Sequence, residues 1–121
     1  MTTNNNYIDW KLFIDDERFP TDTSFVIARS SEEAFKLLKE KGFPSHIAFD
    51  HDLGGDDTSI KFIWRFIDDI LDNENIGTAL VIPDKFTYSI HSQNPVGAEN
   101  IKNLMDDFLR FEYKMVKRFT R

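Results

Sequence analysis

The sequence predicts a single α/β domain built on a parallel sheet of four to five strands, with the first crossover helix missing. Three observations predict it. Short unbroken apolar runs recur along the chain, helical patterns lie between most of them, and acids and histidines gather just after the runs end. Unalternating runs of this length suit strands covered on both faces. A strand–helix–strand order implies parallel pairing through right-handed crossovers.

The elements follow in order. Leu12 to Ile14 is the first run, and it ends in Asp15 and Asp16. Phe25 to Ala28 is the second. The segment from Glu17 to Thr23 between them is too short for a crossover helix. An extended loop still spans it, at about 3.3 Å per residue, so one sheet face is expected to be partly open. Ser30 and Glu33 fit a capping box, in which each side chain satisfies an amide at a helix start. Ala34, Leu37 and Leu38 supply that helix's buried stripe, and Gly42 with Pro44 stops it. Ile47 to Phe49 is the third run and ends in Asp50, His51 and Asp52.

A second helix, about Thr58 to Leu71, carries Ile60, Ile63, Trp64, Ile67 and Leu71 at helical spacing. Ala79 to Ile82 reads as a strand or as a buried connection before Pro83. Phe86, Tyr88 and Ile90 alternate with Thr87, Ser89 and His91, the pattern of a fourth strand. The third helix begins near Asn94 and Pro95, with Asn as cap and Pro in the first turn. It buries Ile101, Leu104, Met105 and Phe108. Tyr113 to Phe119 reads as a fifth strand or as this helix running on; the strand is preferred. Residues 1–9 read as a flexible N-terminal extension of one domain spanning 1–121.

Composition narrows the function classes. With 121 residues, 40% of them hydrophobic and 12 of them Phe, the chain can build one core. A net charge of -6 and the lack of a basic stripe argue against an extended nucleic-acid surface. A small nucleotide in a local pocket needs only a few cationic groups. The absence of Cys removes disulfides, thiol nucleophiles and Cys-based zinc sites. The first residues lack the basic flank and apolar run of a signal peptide. No apolar run approaches membrane-spanning length. The expected location is therefore the cytoplasm.

Ligands in open α/β sheets bind beyond the carboxyl ends of the strands, near the point where strand order reverses. Three strands end there in reactive groups: Asp15 and Asp16; Asp50, His51 and Asp52; His91 and Ser92. Crowded carboxylates either raise a pKa or recruit a cation. Asp15, Asp16 and Asp50 form an oxygen-rich set suited to Mg²⁺, with metal-free chemistry as the alternative. Arg18 is placed to fork onto a phosphate or to pair with Asp16 or Glu17. His51 and His91 belong to the residue type that passes protons near neutrality, with Asp52 as base or orienter. Adjacent strand residues point to opposite faces, so His91 and Ser92 make a poor nucleophile–base dyad. The helix start at Asn94 offers free amides, and Gly97 leaves room for a close ligand. Arg18, Ser92, Asn94 and Gly97 are the expected phosphate contacts. The plainer use of the aspartates is as turn and cap residues.

Leu12 to Asp16, Ser30 to Ala34 and Ile47 to Asp50 resemble receiver domains of two-component signalling. That resemblance implies a three-layer receiver-like (flavodoxin-like) sheet, Mg²⁺ at Asp15 and Asp16, and phosphoryl transfer to Asp50. The family's lysine before a proline has no match here, and Ile90, His91 and Ser92 occupy its switch position. A second resemblance covers nearly the whole chain. Asp15 to Pro20, Phe49 to Gly54 and Ile90 to Ala98 look like the cyclic-phosphate processing receiver-like family, found in bacteria and phages. It implies a small nucleotide or RNA end carrying a cyclic phosphate as the partner.

Three functions are carried forward. The first is a cyclic phosphodiesterase with an acidic metal site and a histidine acid–base. The second is a non-catalytic binder that sequesters a cyclic nucleotide. The third is a receiver phosphorylated on Asp50. Monomer and homodimer are both compatible, since a sheet face short of helices leaves a surface free.

Overall fold

The computed structural model describes residues 9–73 and 80–119, without the side chains of 73 and 112–119. Its elements are β1 (Lys11–Ile14), β2 (Phe25–Ala28), α1 (Ser31–Lys41), β3 (His46–Phe49), α2 (Ser59–Asn73), β4 (Thr87–Ile90) and α3 (Pro95–Phe119). All strand pairs are parallel, in the order β2-β1-β3-β4. The chain leaves β1 for one side, pairs β2 there, and returns to place β3 on the other side. The order therefore reverses between β1 and β3, which marks the expected ligand crevice.

The receiver-like α/β arrangement and the missing first helix agree with the sequence reading. Asp15 to Ser24 crosses from β1 to β2 without a helix. Asp22 accepts from the Ser24 amide at 2.9 Å and pairs with Lys11 at 2.6 Å, so the loop is tied at its far end.

Side chains alternate across a strand, and the two sheet faces differ sharply. Leu12, Ile14, Ala28, Ile47 and Phe49 share one core cluster with Ala34 and Leu38 of α1, Phe62, Ile63, Phe66 and Ile67 of α2, and Ile101, Met105 and Phe108 of α3. All three helices thus pack on one face. Phe43, Phe62 and Phe108 each meet Phe66 with ring centroids 5.1 to 6.2 Å apart, which locks the layer beside the helices. The opposite face carries Lys11, Phe13, Phe25, Ile27, His46, Ala48, Thr87 and Ser89, and none of them joins that cluster. Among the described residues the domain has two layers; the third is what the missing helix would have supplied.

Two local readings need correction, and one open alternative is decided. Tyr113 to Phe119 is not a fifth strand but the end of α3. No Gly or Pro interrupts the chain after Gly97, so nothing stops the helix. The buried stripe of α2 is Phe62, Ile63, Phe66, Ile67 and Ile70, while Trp64 and Leu71 are exposed. The pair of phenylalanines four residues apart turns the helix towards the larger apolar surface. Leu80 to Ile82 is a connection with Leu80 buried, not a strand. Residues 1–8 of the predicted extension, and Ala79, lie outside the described residues.

The capping box is modified as well. Ser30 Oγ accepts from the Glu33 amide at 3.0 Å, as expected, but Glu33 reaches back to the Arg29 amide at 2.6 Å. That shift fixes Arg29 at the end of β2.

Candidate active site

The parallel register places the site. Ile14, Phe49 and Ile90 are partners across the sheet, with Ala28 beside Ile14. Pairing continues one step further: the Asp15, Asp50 and His91 amides donate to Ala28, Ile14 and Phe49 at 3.1, 3.0 and 2.8 Å. The next row is therefore Arg29, Asp15, Asp50 and His91, one residue from each strand end. By alternation all four start on the face that lacks helices.

His91 reaches furthest. Its Nε2 lies 3.1 Å from Asp15 Oδ2, although β3 stands between their strands. The ring stacks on Phe13 with centroids 4.5 Å apart and planes 4° from parallel. Phe13, Ala48 and Ser89 form the preceding row. Ala48, the smallest of them, leaves the space over β3 through which the imidazole passes.

Asp15 is fully buried and fully engaged. Its Oδ1 accepts from the Glu17 and Arg18 amides at 2.9 and 2.8 Å, and Oδ2 faces His91 and, at 3.6 Å, Arg18 Nε. Burial pushes its pKa up, but those amides, with His91 and Arg18 beside it, outweigh burial and leave it below the usual carboxylate value. Asp50 has the opposite balance. Burial and then the Asp15 carboxylate raise its pKa, against one amide bond from His51 at 2.9 Å. Two carboxylates side by side thus differ: one is held ionised and the other is drawn towards its proton.

Oxygens of Asp15 and Asp50 and a nitrogen of His91 lie within 4.8 Å of one another, so these three could hold a metal ion. Paired carboxylates plus an imidazole suit a divalent cation, and the raised pKa of Asp50 shows the repulsion that a cation would relieve. Asp16 is not part of this close group. Its Oδ2 lies 3.5 Å from where a Cβ on Gly54 would stand, a glycine with φ of 92°.

A cleft of about 340 Å³ opens beside the row, where Asp15 and Asp50 reach it. Asp15, Asp16, Glu17, Asp50 and Asp52 line it with Ser92, Gln93 and Asn94, and Arg18 is the one basic lining residue. The strand-end acids, Arg18, Ser92 and Asn94 therefore come together as the sequence suggests. Ser92 Oγ accepts from the Asn94 amide at 3.0 Å, and Asn94 Oδ1 caps α3 by accepting from the Gly97 amide at 3.0 Å.

A family model described as the cyclic-phosphate processing Receiver domain matches residues 10–107 of the 121. The chain belongs to this family. No curated protein and no solved structure matches it. The matched span of this cyclic-phosphate processing receiver domain contains the whole strand-end row and every residue lining the cleft.

The two candidate histidines separate. His51 Nδ1 bonds Asp52 Oδ1 at 2.9 Å, which holds the exposed Asp52 carboxyl below its ordinary pKa. The His51 ring lies against Gly97, where any Cβ would collide with it. Gly97 thus admits the His51 ring, and His51 docks α3 and bonds Asp52 without joining the Asp15–Asp50–His91 group.

Sequence reasoning missed Arg29. Its Nη1 donates to the backbone oxygens of Asp15 at 3.0 Å and Arg18 at 2.6 Å, fixing the loop that carries Arg18. The available signal was position: Arg29 follows β2 as Asp15, Asp50 and His91 follow their strands. Asp57 was missed too. It accepts from the Ser31 amide and hydroxyl at 2.8 and 2.5 Å, bracing the loop after β3 against α1.

Proposed function

We propose that this domain hydrolyses a cyclic phosphodiester on a small nucleotide or RNA end, using the Asp15–Asp50–His91 cluster. The single observation that carries the reading is the row itself. An ionised carboxylate and a carboxylate with raised pKa line a cleft with Arg18, and the His91 imidazole meets the first of them from beside that cleft.

Hydrolysis needs a proton acceptor for water and a donor for the leaving oxygen. Asp50, drawn towards its proton, takes one from the attacking water as the new P–O bond forms. His91 Nε2–H, aligned by Asp15 and by its stack on Phe13, protonates the ring oxygen as the old P–O bond breaks. Arg18 holds a non-bridging oxygen as charge develops. Ser92 and the Asn94 cap shape the far wall, and Asp52 keeps His51 and the start of α3 in place.

The acidic lining disfavours an anion unless positive charge is added. Mg²⁺ or another divalent ion held by Asp15, Asp50 and His91 would supply it and polarise the phosphoryl group. The same His91 nitrogen cannot both bind an ion and carry a proton, so metal dependence separates the two chemistries.

Phosphorus NMR tests the reading. Nucleoside 2′,3′-cyclic, 3′,5′-cyclic and cyclic dinucleotide phosphates are incubated with catalytic and then excess protein, with Mg²⁺ or with chelator. A new linear phosphate signal at catalytic protein establishes the hydrolase and names the bond. Broadened signals at excess protein without product would replace hydrolysis by sequestration. No change under any condition would remove both.

A further inference from the structure

We propose that Phe19 is a stacking platform for a nucleobase, so that the site selects a base-bearing cyclic phosphate over a base-free sugar phosphate. This rests on the cyclic-phosphate reading and assigns the part of the ligand that the phosphate site does not touch.

Phe19 follows Arg18 directly and is 75% exposed. Single exposed apolar residues are common on protein surfaces, so exposure alone means little. What distinguishes Phe19 is its support. The Arg29 guanidinium carbon lies 4.6 Å from the ring centroid. Its Nη1 is fixed by the carbonyls of Asp15 and Arg18. Its backbone amide is held by Glu33, at the start of α1. One ring face therefore rests on an immobilised cation while the rest of the ring stands in solvent. The aromatic is presented by the same residue that completes the strand-end row.

Position makes the platform useful. Arg18 lines the cleft, so a phosphate held there leaves the sugar and base to extend past the neighbouring residue. A base stacks on an aromatic face without needing hydrogen-bond readout, which suits a protein that tolerates several bases. Val81, 78% exposed and remote in sequence from every residue lining the cleft, serves as a control for apolar surface in general.

The test compares two probes, adenosine 2′,3′-cyclic phosphate and 1-O-methyl-ribose 2,3-cyclic phosphate, which keeps the ring phosphate and lacks the base. Apparent affinity is measured by calorimetry and by initial rate for wild type, Phe19→Ala, Phe19→Trp and Val81→Ala. Wild type is expected to prefer the nucleotide by about 10-fold or more, the effect of one base–aromatic stack. Phe19→Ala should erase that preference while leaving the base-free probe unchanged; Phe19→Trp and Val81→Ala should keep it. Melting temperatures confirm that the exposed substitutions leave the fold intact. Equal preference in wild type and Phe19→Ala overturns the platform while the cyclic-phosphate reading stands. A wild type that engages neither probe overturns both.

Discussion

The uncovered sheet face has a histidine at each end, and the two live differently. At the amino end, His46 bonds Thr87 Oγ1 at 2.7 Å and Ser89 Oγ at 3.0 Å. Both ring nitrogens are satisfied by neutral hydroxyls, and burial, then Lys11, lowers its pKa. At the carboxyl end, His91 meets a buried carboxylate and lies flat on a phenylalanine. The sheet, the face and the residue type are the same. What changes is the row: hydroxyls surround the histidine at one end, and a buried carboxylate meets the one at the other, where the proposed reaction would use it. The carboxyl end is also where the chain's reversal between β1 and β3 opens a crevice.

The largest effect should separate these histidines. His91→Ala is expected to lower turnover of a cyclic phosphate by about 10²–10⁴-fold, the range for a lost general acid. His46→Ala should leave turnover within about 2-fold while costing on the order of 1 kcal/mol of stability through its two hydrogen bonds. Steady-state rates beside denaturant melts read both quantities. Equal loss of turnover in the two variants would dissolve the contrast between the ends.

Asp15→Asn comes next. A fully buried carboxylate bonded to two amides and facing Arg18 and His91 is removed, so a loss of about 3 kcal/mol is expected at neutral pH. The pH dependence has a definite sign. The folded pKa of Asp15 lies below its unfolded value, so its stabilisation is present above about pH 4 and is lost as pH falls through the folded value. Wild type and Asp15→Asn should therefore converge in stability on acidification, followed by urea melts from pH 7 to pH 3.

Much of this was legible in the sequence, for reasons that also explain what was not. Asp15 and Asp50 each follow an apolar run directly and His91 ends an alternating one, and parallel pairing turns three such ends into one row. The missing helix could be counted from the short segment before Phe25. Arg29 follows its strand in the same way, yet an arginine before a helix cap reads as an ordinary charged residue until the register aligns it with Asp15. The roles of His51 and Gly97 depend on how α3 docks, which spacing along the chain does not report. Trp64 was misplaced because its helical spacing with Ile60 and Leu71 is as regular as that of Phe62 with Phe66; only packing against Phe43 and Phe108 decides between them. Tyr113 to Phe119 has aromatic and apolar residues that suit a strand, but a helix already under way with no breaker continues more easily than it stops.

Ala48 offers a finer test of the carboxyl end. Its methyl leaves the space over β3 that the His91 ring crosses to reach Phe13 and Asp15. Ala48→Leu fills that space and should displace the imidazole by an ångström or more, lowering turnover by up to about 10²-fold without removing any reacting group. The readout that isolates positioning is the upfield ring-current shift of the His91 protons over Phe13, which should collapse in the variant. Turnover lost with that shift intact would mean that Ala48 acts by some other route.

Asp50→Asn carries the smallest and most diagnostic change, because its sign opposes that of Asp15→Asn. The folded pKa of Asp50 is raised, first by burial and then by Asp15. Its ionised form is therefore disfavoured in the folded chain: the stability linked to its proton is present at low pH and is lost as pH rises through the folded value. At pH 7 the wild type carries that cost. An asparagine removes the charge, and its side-chain oxygen can still accept the His51 amide. The variant should melt about 2–5 °C above wild type at pH 7, and the gap should close on acidification as wild-type Asp50 takes up its proton. Added divalent cation should narrow the gap from the other direction, by stabilising wild type through the Asp15–Asp50–His91 cluster while leaving the variant less affected. A variant that melts below wild type at pH 7 in chelator would show that Asp50 is a stabilising hydrogen-bond acceptor first, and that repulsion between the paired carboxylates is not what this row holds in reserve for its ligand.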